Sequence, residues 1–273
     1  MTTPYQEALA EYVTTPLDIR YDCNAAHYLD EFELPAGDAI SADEARAGAT
    51  PKGLIRLNSL EIPKGPRIRD AFSLIPMDEW AERAAHLRAE EESNRLFISL
   101  TLRQLVGSCA CEGISGATMF TEEKQGQAAE KLNAYALYRR VNGGRDAGSN
   151  PGDALAAAIK YGIPSERVWP RKNSWRVEPS KKAHADALLH RPVEHFRVSN
   201  IEEFGTALFM GFGVYAGYKG HAWFGVDVLD DKRLLYKDSQ GPTYGDDGFI
   251  VLKWSSIYWP YGAWAIRTAV RSS

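Results

Sequence analysis

Residues 104–113 read QLVGSCACEG, and residues 220–254 read GHAWFGVDVLDDKRLLYKDSQGPTYGDDGFIVLKW. The first stretch is a Gly-Ser-Cys step into a helix-like segment. In the second stretch, a histidine opens one strand-like run and an aspartate closes the next. A cysteine followed later by a histidine, and by a third polar residue that orients the histidine, is the set of groups that a thiol nucleophile needs. These two stretches therefore carry most of the expected chemistry.

Cys109 follows Gly-Ser and is expected at the start of a helix. The N-terminal end of a helix carries partial positive charge, which stabilises a thiolate. Backbone N–H groups at the same end can hold a developing oxyanion. The structural alternative is a small buried core cysteine, which is the commonest fate of a free cysteine.

His221 begins a run of alternating character, so His221, Trp223 and Asp227 share one face of a strand. An antiparallel partner strand after a short turn would place Asp238 beside His221. A carboxylate bonded to one imidazole nitrogen fixes the tautomer and stabilises the imidazolium. The alternatives are an idle strand-edge histidine and an aspartate that serves a turn. Gln104, a neutral amide upstream of Cys109, is the natural oxyanion donor, or else an ordinary polar residue at a strand end.

Composition limits the classes of function. The 273 residues are 44% hydrophobic and 25% charged, as in a soluble globular protein. A net charge of −4 argues against nucleic acid as the main ligand, and no apolar run is long enough to span a membrane. The N-terminus lacks the pattern of a secretory signal, which predicts a cytoplasmic location. The three cysteines do not form a disulfide framework, which indicates a reducing compartment or a particle assembled in one.

Periodicity predicts helices before strands. Helices are expected over 78–93, 109–141 with a break near EEKQGQ, 153–162 and 200–211, and strands over 94–102, 193–198 and five runs after 213. This order predicts an α+β fold, with a helical subdomain that carries Cys109 and an antiparallel sheet or barrel. Residues 1–75 are predicted to be an N-terminal extension, either an arm lying on the domain, a docking segment or a propeptide. Within this extension, IPKGPRIRD (62–70) indicates a linker or extended arm.

Five pieces of the chain then occur in a specific order: QLVGSC (104–109), GSNPGDALAAAIKYGI (148–163), VWP (168–170), GHAWFGVDVL (220–229) and YKDSQGPTYGDDGFIVLKW (236–254). Together they resemble the papain-like cysteine peptidases, over about residues 100–267. The resemblance implies a papain-like domain over residues 76–273 that cleaves peptide bonds of a peptide or protein substrate without a cofactor or metal.

The resemblance also implies roles for individual residues. Cys109 would be the nucleophile and His221 its base, oriented by Asp238, which stands where the family usually has Asn. Gln104 would supply the oxyanion hole. Gly148 and Ser149 would bind the substrate backbone.

The chain also departs from the family pattern. Compared with the family, the spacing from Gln104 to Cys109 is one residue too short, and that to Cys111 is one residue too long. Cys111 is therefore the alternative nucleophile, and Arg103 is the alternative to Gln104 as oxyanion donor. Gln240 replaces a tryptophan that shields the His–Asn pair, so a wetter pair is expected. The family's disulfides are missing.

Three other functions compete with a peptidase. The fold could serve as a structural or binding component of a virion, such as a phage particle, that docks through the N-terminal arm. It could also be a cell-wall amidase, because related thiol folds use the same three groups. A zinc site built from Cys109, Cys111, His221 and Asp238 is the weakest alternative, because a Cys-x-Cys step lacks the usual ligand spacing.

Overall fold

The computed structural model describes residues 65–93, 104–127, 130–146, 148–171, 174–218, 221–229, 233–241, 248–253 and 263–269. The expected strand at 94–102, the alternative residue Arg103 and most of the N-terminal extension lie outside these residues.

The described residues contain seven α-helices: α1 (Ile68–Ala71), α2 (Trp80–Ser93), α3 (Cys109–Lys124), α4 (Ala134–Asn142), α5 (Pro151–Tyr161), α6 (Lys181–Ala187) and α7 (Ile201–Phe209). They also contain six strands: β1 (Pro192–Arg197), β2 (Gly213–Tyr218), β3 (His221–Val228), β4 (Arg233–Lys237), β5 (Phe249–Lys253) and β6 (Ala263–Thr268). The strands pair antiparallel in the order β1-β6-β2-β3-β4-β5. The predicted α+β arrangement is therefore confirmed.

Asparagine side chains fix where several helices begin. The Asn133 side chain accepts from the backbone N–H of Tyr135 and Ala136, and α4 follows. Asn150 caps α5 and Asn200 caps α7 in the same way, by accepting a backbone N–H of the first turn. Each cap replaces a hydrogen bond that the first turn of a helix lacks.

Helix α3 lies against the sheet because its contact face carries glycines. A Cβ on Gly116 would stand 2.1 Å from the Phe224 ring, and one on Gly113 would stand 3.1 Å from the Tyr215 ring. Neither position has room for a larger side chain, so the sheet approaches the helix backbone directly. This close approach fixes the position of Cys109 relative to β3.

The segment from Gly65 to Ile75 packs on the domain. Ile68 is fully buried, and Arg67 and Arg69 both form ion pairs with the buried carboxylate of Glu203 on α7. Residues 68–71 are helical, where the sequence indicated a linker or an extended arm. Burial of Ile68 and the ion pairs with Glu203 stabilise the packing of this segment against the domain. The predicted boundary of the extension at residue 75 stays a prediction.

Helix α6 was not predicted. Its sequence, KKAHADA, offers only Ala183 and Ala187 as an apolar pair one turn apart. Ser180 caps its first turn by accepting from the backbone N–H of Ala183. Such a small apolar face gives almost no periodic signal. No helix in the described ranges is long and apolar enough to cross a bilayer.

Candidate active site

Cys109 is the first residue of α3. The backbone turns immediately before it, where the N–H of Ser108 donates to the carbonyl of Val106 at 2.6 Å. The carbonyl of Ser108 then accepts from the N–H of Glu112 at 2.9 Å, which is the first bond of the helix. The Cys109 thiol therefore stands at the positive end of a 16-residue helix.

His221 reaches Cys109 from the sheet. It is the first residue of β3, its side chain is buried, and it lies close enough to the Cys109 side chain for the two groups to interact electrostatically. Its Nε2 lies 2.8 Å from Oδ2 of Asp238, just beyond the end of β4. Since Asp238 occupies Nε2, Nδ1 is the ring nitrogen left for the thiol. The structure thus brings together the cysteine, the histidine and the aspartate that the sequence singled out.

The surroundings of His221 favour its charged form. Burial by itself lowers the pKa of the imidazole, because the low-dielectric interior disfavours the charged form. The negative charges of Asp238 and the Cys109 thiolate, and hydrogen bonds to both, outweigh burial and hold the pKa of His221 well above its ordinary value. This balance suits a thiolate–imidazolium pair.

Asp238 is fully buried and accepts three hydrogen bonds. Besides the bond from His221, its Oδ2 accepts from the indole N–H of Trp223, and its Oδ1 accepts from the backbone N–H of Gln240 at 2.7 Å. A buried carboxylate needs such donors to offset the loss of water. The carboxylate is therefore held in one orientation toward the imidazole.

The expectation of a wetter pair is wrong. It rested on Gln240, which stands where the family has a shielding tryptophan. Here His221 is only 3% exposed and Asp238 0%, and Trp223 packs edge-on to the imidazole with ring centres 5.3 Å apart. Trp223 shields the pair from a different position in the chain, two residues after His221. The shared strand face was visible in the sequence, but the reach of the indole to Asp238 was not.

Gln104 is buried and its amide orientation is fixed. Its Oε1 accepts from the Ser239 hydroxyl, and its Nε2 donates to the carbonyl of Val106 at 3.1 Å. Its backbone N–H also donates to the carbonyl of Ser239, next to Asp238. An amide group has a second Nε2 hydrogen, which this network leaves for another acceptor.

Cys111 lies elsewhere on α3 and is fully buried. Its sulfur contacts the hydroxyl of Ser149 at 3.9 Å. Burial raises the pKa of the Cys111 thiol well above its ordinary value, in spite of that contact. A thiol that resists ionisation is a poor nucleophile, so the geometry and the charges favour Cys109 of the two cysteines.

The loop at Gly148 and Ser149 lies beside the Cys109 turn. Gly148 has a φ of 71°, a conformation that glycine adopts readily. Its backbone N–H donates to the Tyr138 hydroxyl at 2.9 Å, so that N–H is already occupied. Within the described residues, no group of three His, Cys, Asp or Glu side chains is arranged to hold a metal ion.

Comparison with known proteins gives a fold but no close relative. No protein-family model and no curated protein sequence matches the chain. Xylellain, a cysteine protease from Xylella fastidiosa, is 19% identical, with a TM-score of 0.54 over 63% of this chain and 83% of its own.

Two further structures are more distant. Digestive procathepsin L 3 from the larval midgut of Tenebrio molitor is 14% identical, with a TM-score of 0.50 over 61% of this chain and 65% of its own. The cysteine protease and lectin-like domains of Cwp84, a surface layer associated protein of Clostridium difficile, are 13% identical, with a TM-score of 0.50 over 63% of this chain and 49% of that one.

The chain has the papain-like fold. In this papain-like chain, the residues that sequence reasoning missed are ones that hydrogen-bond to the elements carrying the triad candidates. They are the bond from Trp223 to Asp238, the pair that buried Glu112 of α3 forms with Arg171, and Tyr138 with Asp146 beside Gly107.

Trp223→Phe is expected to destabilise the papain-like domain by about 2 kcal/mol, because it removes a hydrogen bond to a buried carboxylate while it keeps an aromatic ring. Trp264→Phe is the matched control. Its indole nitrogen is buried without a hydrogen-bond partner in the described part of the chain, so only packing is lost there. Urea unfolding followed by fluorescence gives both values. Equal losses would show that the bond from Trp223 to Asp238 contributes nothing.

Proposed function

We propose that this chain is a cysteine peptidase in which Cys109, His221 and Asp238 form the catalytic triad. The observation that carries the proposal is a buried His221 whose Nε2 is held by Asp238 at 2.8 Å and which interacts electrostatically with the Cys109 side chain at the start of α3. The papain-like fold supports it, since that fold is shared with a protein described as a cysteine protease. The proposed substrate is a peptide or protein chain cleaved internally.

The proposed reaction begins with the Cys109 thiolate and the His221 imidazolium. The thiolate attacks the carbonyl carbon of the scissile peptide bond and forms a C–S bond, and the carbonyl oxygen becomes an oxyanion. The backbone N–H of Cys109 and the second Nε2 hydrogen of Gln104 stabilise that oxyanion. His221 then donates its proton to the leaving nitrogen, the C–N bond breaks, and a thioester on Cys109 remains.

Water completes the cycle. Neutral His221 takes a proton from a water molecule, whose oxygen attacks the thioester carbonyl carbon. The C–S bond breaks, the carboxylic acid product leaves, and the thiolate–imidazolium pair is restored. Asp238 keeps the imidazole oriented throughout by accepting from its Nε2. Ser149 is proposed to bind the substrate backbone next to Cys109.

Alkylation of each cysteine by iodoacetamide against pH, read by peptide mass spectrometry, tests this proposal. Cys109 is expected to react much faster than Cys111, because the imidazolium of His221 lies beside its sulfur, whereas burial holds the pKa of the Cys111 thiol well above its ordinary value. Fast alkylation of Cys111 would show that Cys111, two residues later, is the nucleophile instead of Cys109. A Cys109 that behaves as an ordinary thiol would contradict the ion pair.

Asp238→Asn gives the same pair a pH signature. The variant retains an oxygen that accepts from His221 but loses the negative charge that raises the pKa of the imidazole. The imidazolium is present below the His221 pKa and is lost as pH rises through it. The basic limb of kcat/KM is therefore expected to move to lower pH in the variant, with little movement of the acidic limb. An unchanged basic limb would show that Asp238 does not set the charge of His221.

A further inference from the structure

One carboxylate and one phenol connect the turn before Cys109 to the loop at Gly148. Oδ1 of Asp146 accepts from the backbone N–H of Gly107 at 2.8 Å and from the Tyr138 hydroxyl at 2.9 Å. The same Tyr138 oxygen accepts from the backbone N–H of Gly148 at 2.9 Å. The result is a continuous chain of hydrogen bonds from Gly107 to Gly148.

The two backbones also touch where this chain of bonds runs. A Cβ on Gly107 would stand 3.0 Å from the Gly148 nitrogen and 3.3 Å from Oδ1 of Asp146. Gly107 is thus held at contact distance from a loop that lies about forty residues later in the sequence. The gap between the two segments is too narrow for a methyl group to fit without a shift, so they are closely packed.

The residues of this chain of hydrogen bonds differ in how deeply they are buried. Tyr138 is fully buried on α4, whereas Asp146 is only partly buried and Gly107 lies in a turn. Tyr138 therefore provides the rigid point, and its single oxygen both donates to Asp146 and accepts from Gly148. A bond from a neutral donor to an ionised carboxylate is shorter and stronger than one between neutral groups, which suits Asp146 to hold the turn.

We infer that Asp146 and Tyr138 are positioning residues that form a clasp between the nucleophile turn and the loop at Gly148. The inference rests on the proposed function, in which Cys109 attacks a substrate bound by Ser149. The distance from the sulfur to the substrate carbonyl then depends on how these two backbone segments sit relative to each other. A misplacement of about 1 Å can cost roughly 10²-fold in rate.

The clasp makes separate predictions for three variants. Asp146→Ala removes the acceptor for Gly107, Tyr138→Phe removes the acceptor for Gly148, and Asp146→Asn keeps an oxygen that can accept both bonds. The amide of Gly107 is therefore expected to exchange with solvent at least about tenfold faster in Asp146→Ala, and that of Gly148 in Tyr138→Phe. Both amides are expected to stay protected in Asp146→Asn.

The kinetic readout separates positioning from general stability. With a peptide substrate, kcat/KM is expected to fall about 10- to 100-fold in Asp146→Ala and Tyr138→Phe and to return to within about threefold of wild type in Asp146→Asn. Tyr236→Phe is the matched control, because it removes a buried hydroxyl that has no hydrogen-bond partner among the described residues. Near-ultraviolet circular dichroism identifies any variant that fails to fold.

The two readouts distinguish the clasp from the proposed function. Faster exchange at the expected amides, together with lower kcat/KM and rescue by Asp146→Asn, supports the clasp. Unchanged exchange, or losses in kcat/KM no larger than in Tyr236→Phe, overturns it. If Cys109 of the wild-type chain is alkylated like an ordinary thiol and the chain cleaves no peptide, the proposed function is overturned instead. Amide exchange then still decides whether the two backbone segments are joined.

Discussion

Cys109→Ala is expected to reduce turnover of a peptide substrate by roughly 10⁴-fold or more, because Cys109 is the described thiol that interacts with His221. Cys111→Ala is expected to leave kcat/KM within about threefold of wild type. The Cys111 sulfur is fully buried against Ser149, and burial holds its pKa high, so it is not ionised at neutral pH. Each variant removes one cysteine sulfur, and the two cysteines lie two residues apart on one helix. Each variant is therefore the control for the other. Hydrolysis of denatured casein or of a quenched fluorescent peptide measures both.

The outcome also decides which of the two cysteines corresponds to the nucleophile of the family pattern. If Cys111→Ala abolishes turnover and Cys109→Ala does not, the oxyanion assignment of Gln104 must change with the nucleophile. If both variants keep full turnover, the activity comes from outside the triad. Cys23 lies outside the described residues, so the double variant Cys23→Ala/Cys111→Ala is the stricter control. It leaves Cys109 as the only thiol in the chain.

Sequence alone predicted the parts of the candidate site that depend on local pattern. The apolar alternation after His221 predicted a strand, and the next alternating run predicted a partner that ends at Asp238. Antiparallel pairing of β3 with β4, with Phe224 opposite Lys237, puts Asp238 level with Trp223 and within reach of His221 two residues away on the same strand face. Gly-Ser-Cys before a helix-like run likewise predicted Cys109 at a helix start.

The rest depends on contacts between residues that are distant in sequence, and no local pattern encodes them. The pair of Glu112 and Arg171 spans 59 residues and the bond from Asp146 to Gly107 spans 39. In the sequence, Glu112 is an acid in the first turn of a helix, which is common at the surface because it favours the helix dipole. Only the packing of α3 against its neighbours reveals that this carboxylate is fully buried.

Glu112→Ala is expected to lower the free energy of unfolding by about 3 kcal/mol, because it replaces the bidentate carboxylate partner of the Arg171 guanidinium with the more distant Glu166 at 3.8 Å. The Glu112 side chain is 0% exposed and that of Arg171 16%, and Nη1 of Arg171 lies 3.1 Å from Oε2 of Glu112. The other guanidinium nitrogen pairs with Oε1, so the contact is bidentate. The guanidinium also lies over the Tyr135 ring at 4.1 Å, which holds it in place after the carboxylate is gone. Guanidinium chloride unfolding measures the loss.

The control is an ion pair of the same charges at the surface. Arg83 and Glu79 lie one helical turn apart at 3.0 Å, with side chains 52% and 46% exposed, so Glu79→Ala is expected to cost less than about 1 kcal/mol. The double variant Glu112→Leu/Arg171→Met tests the cause, because it removes both charges of the pair and keeps the volume filled. Its stability is expected to recover most of the loss in Glu112→Ala, since the cost comes from a poorly compensated charge on Arg171 more than from a lost attraction. A double variant as unstable as Glu112→Ala would show instead that the position needs the pair itself to hold α3, and with it the Cys109 turn, in place.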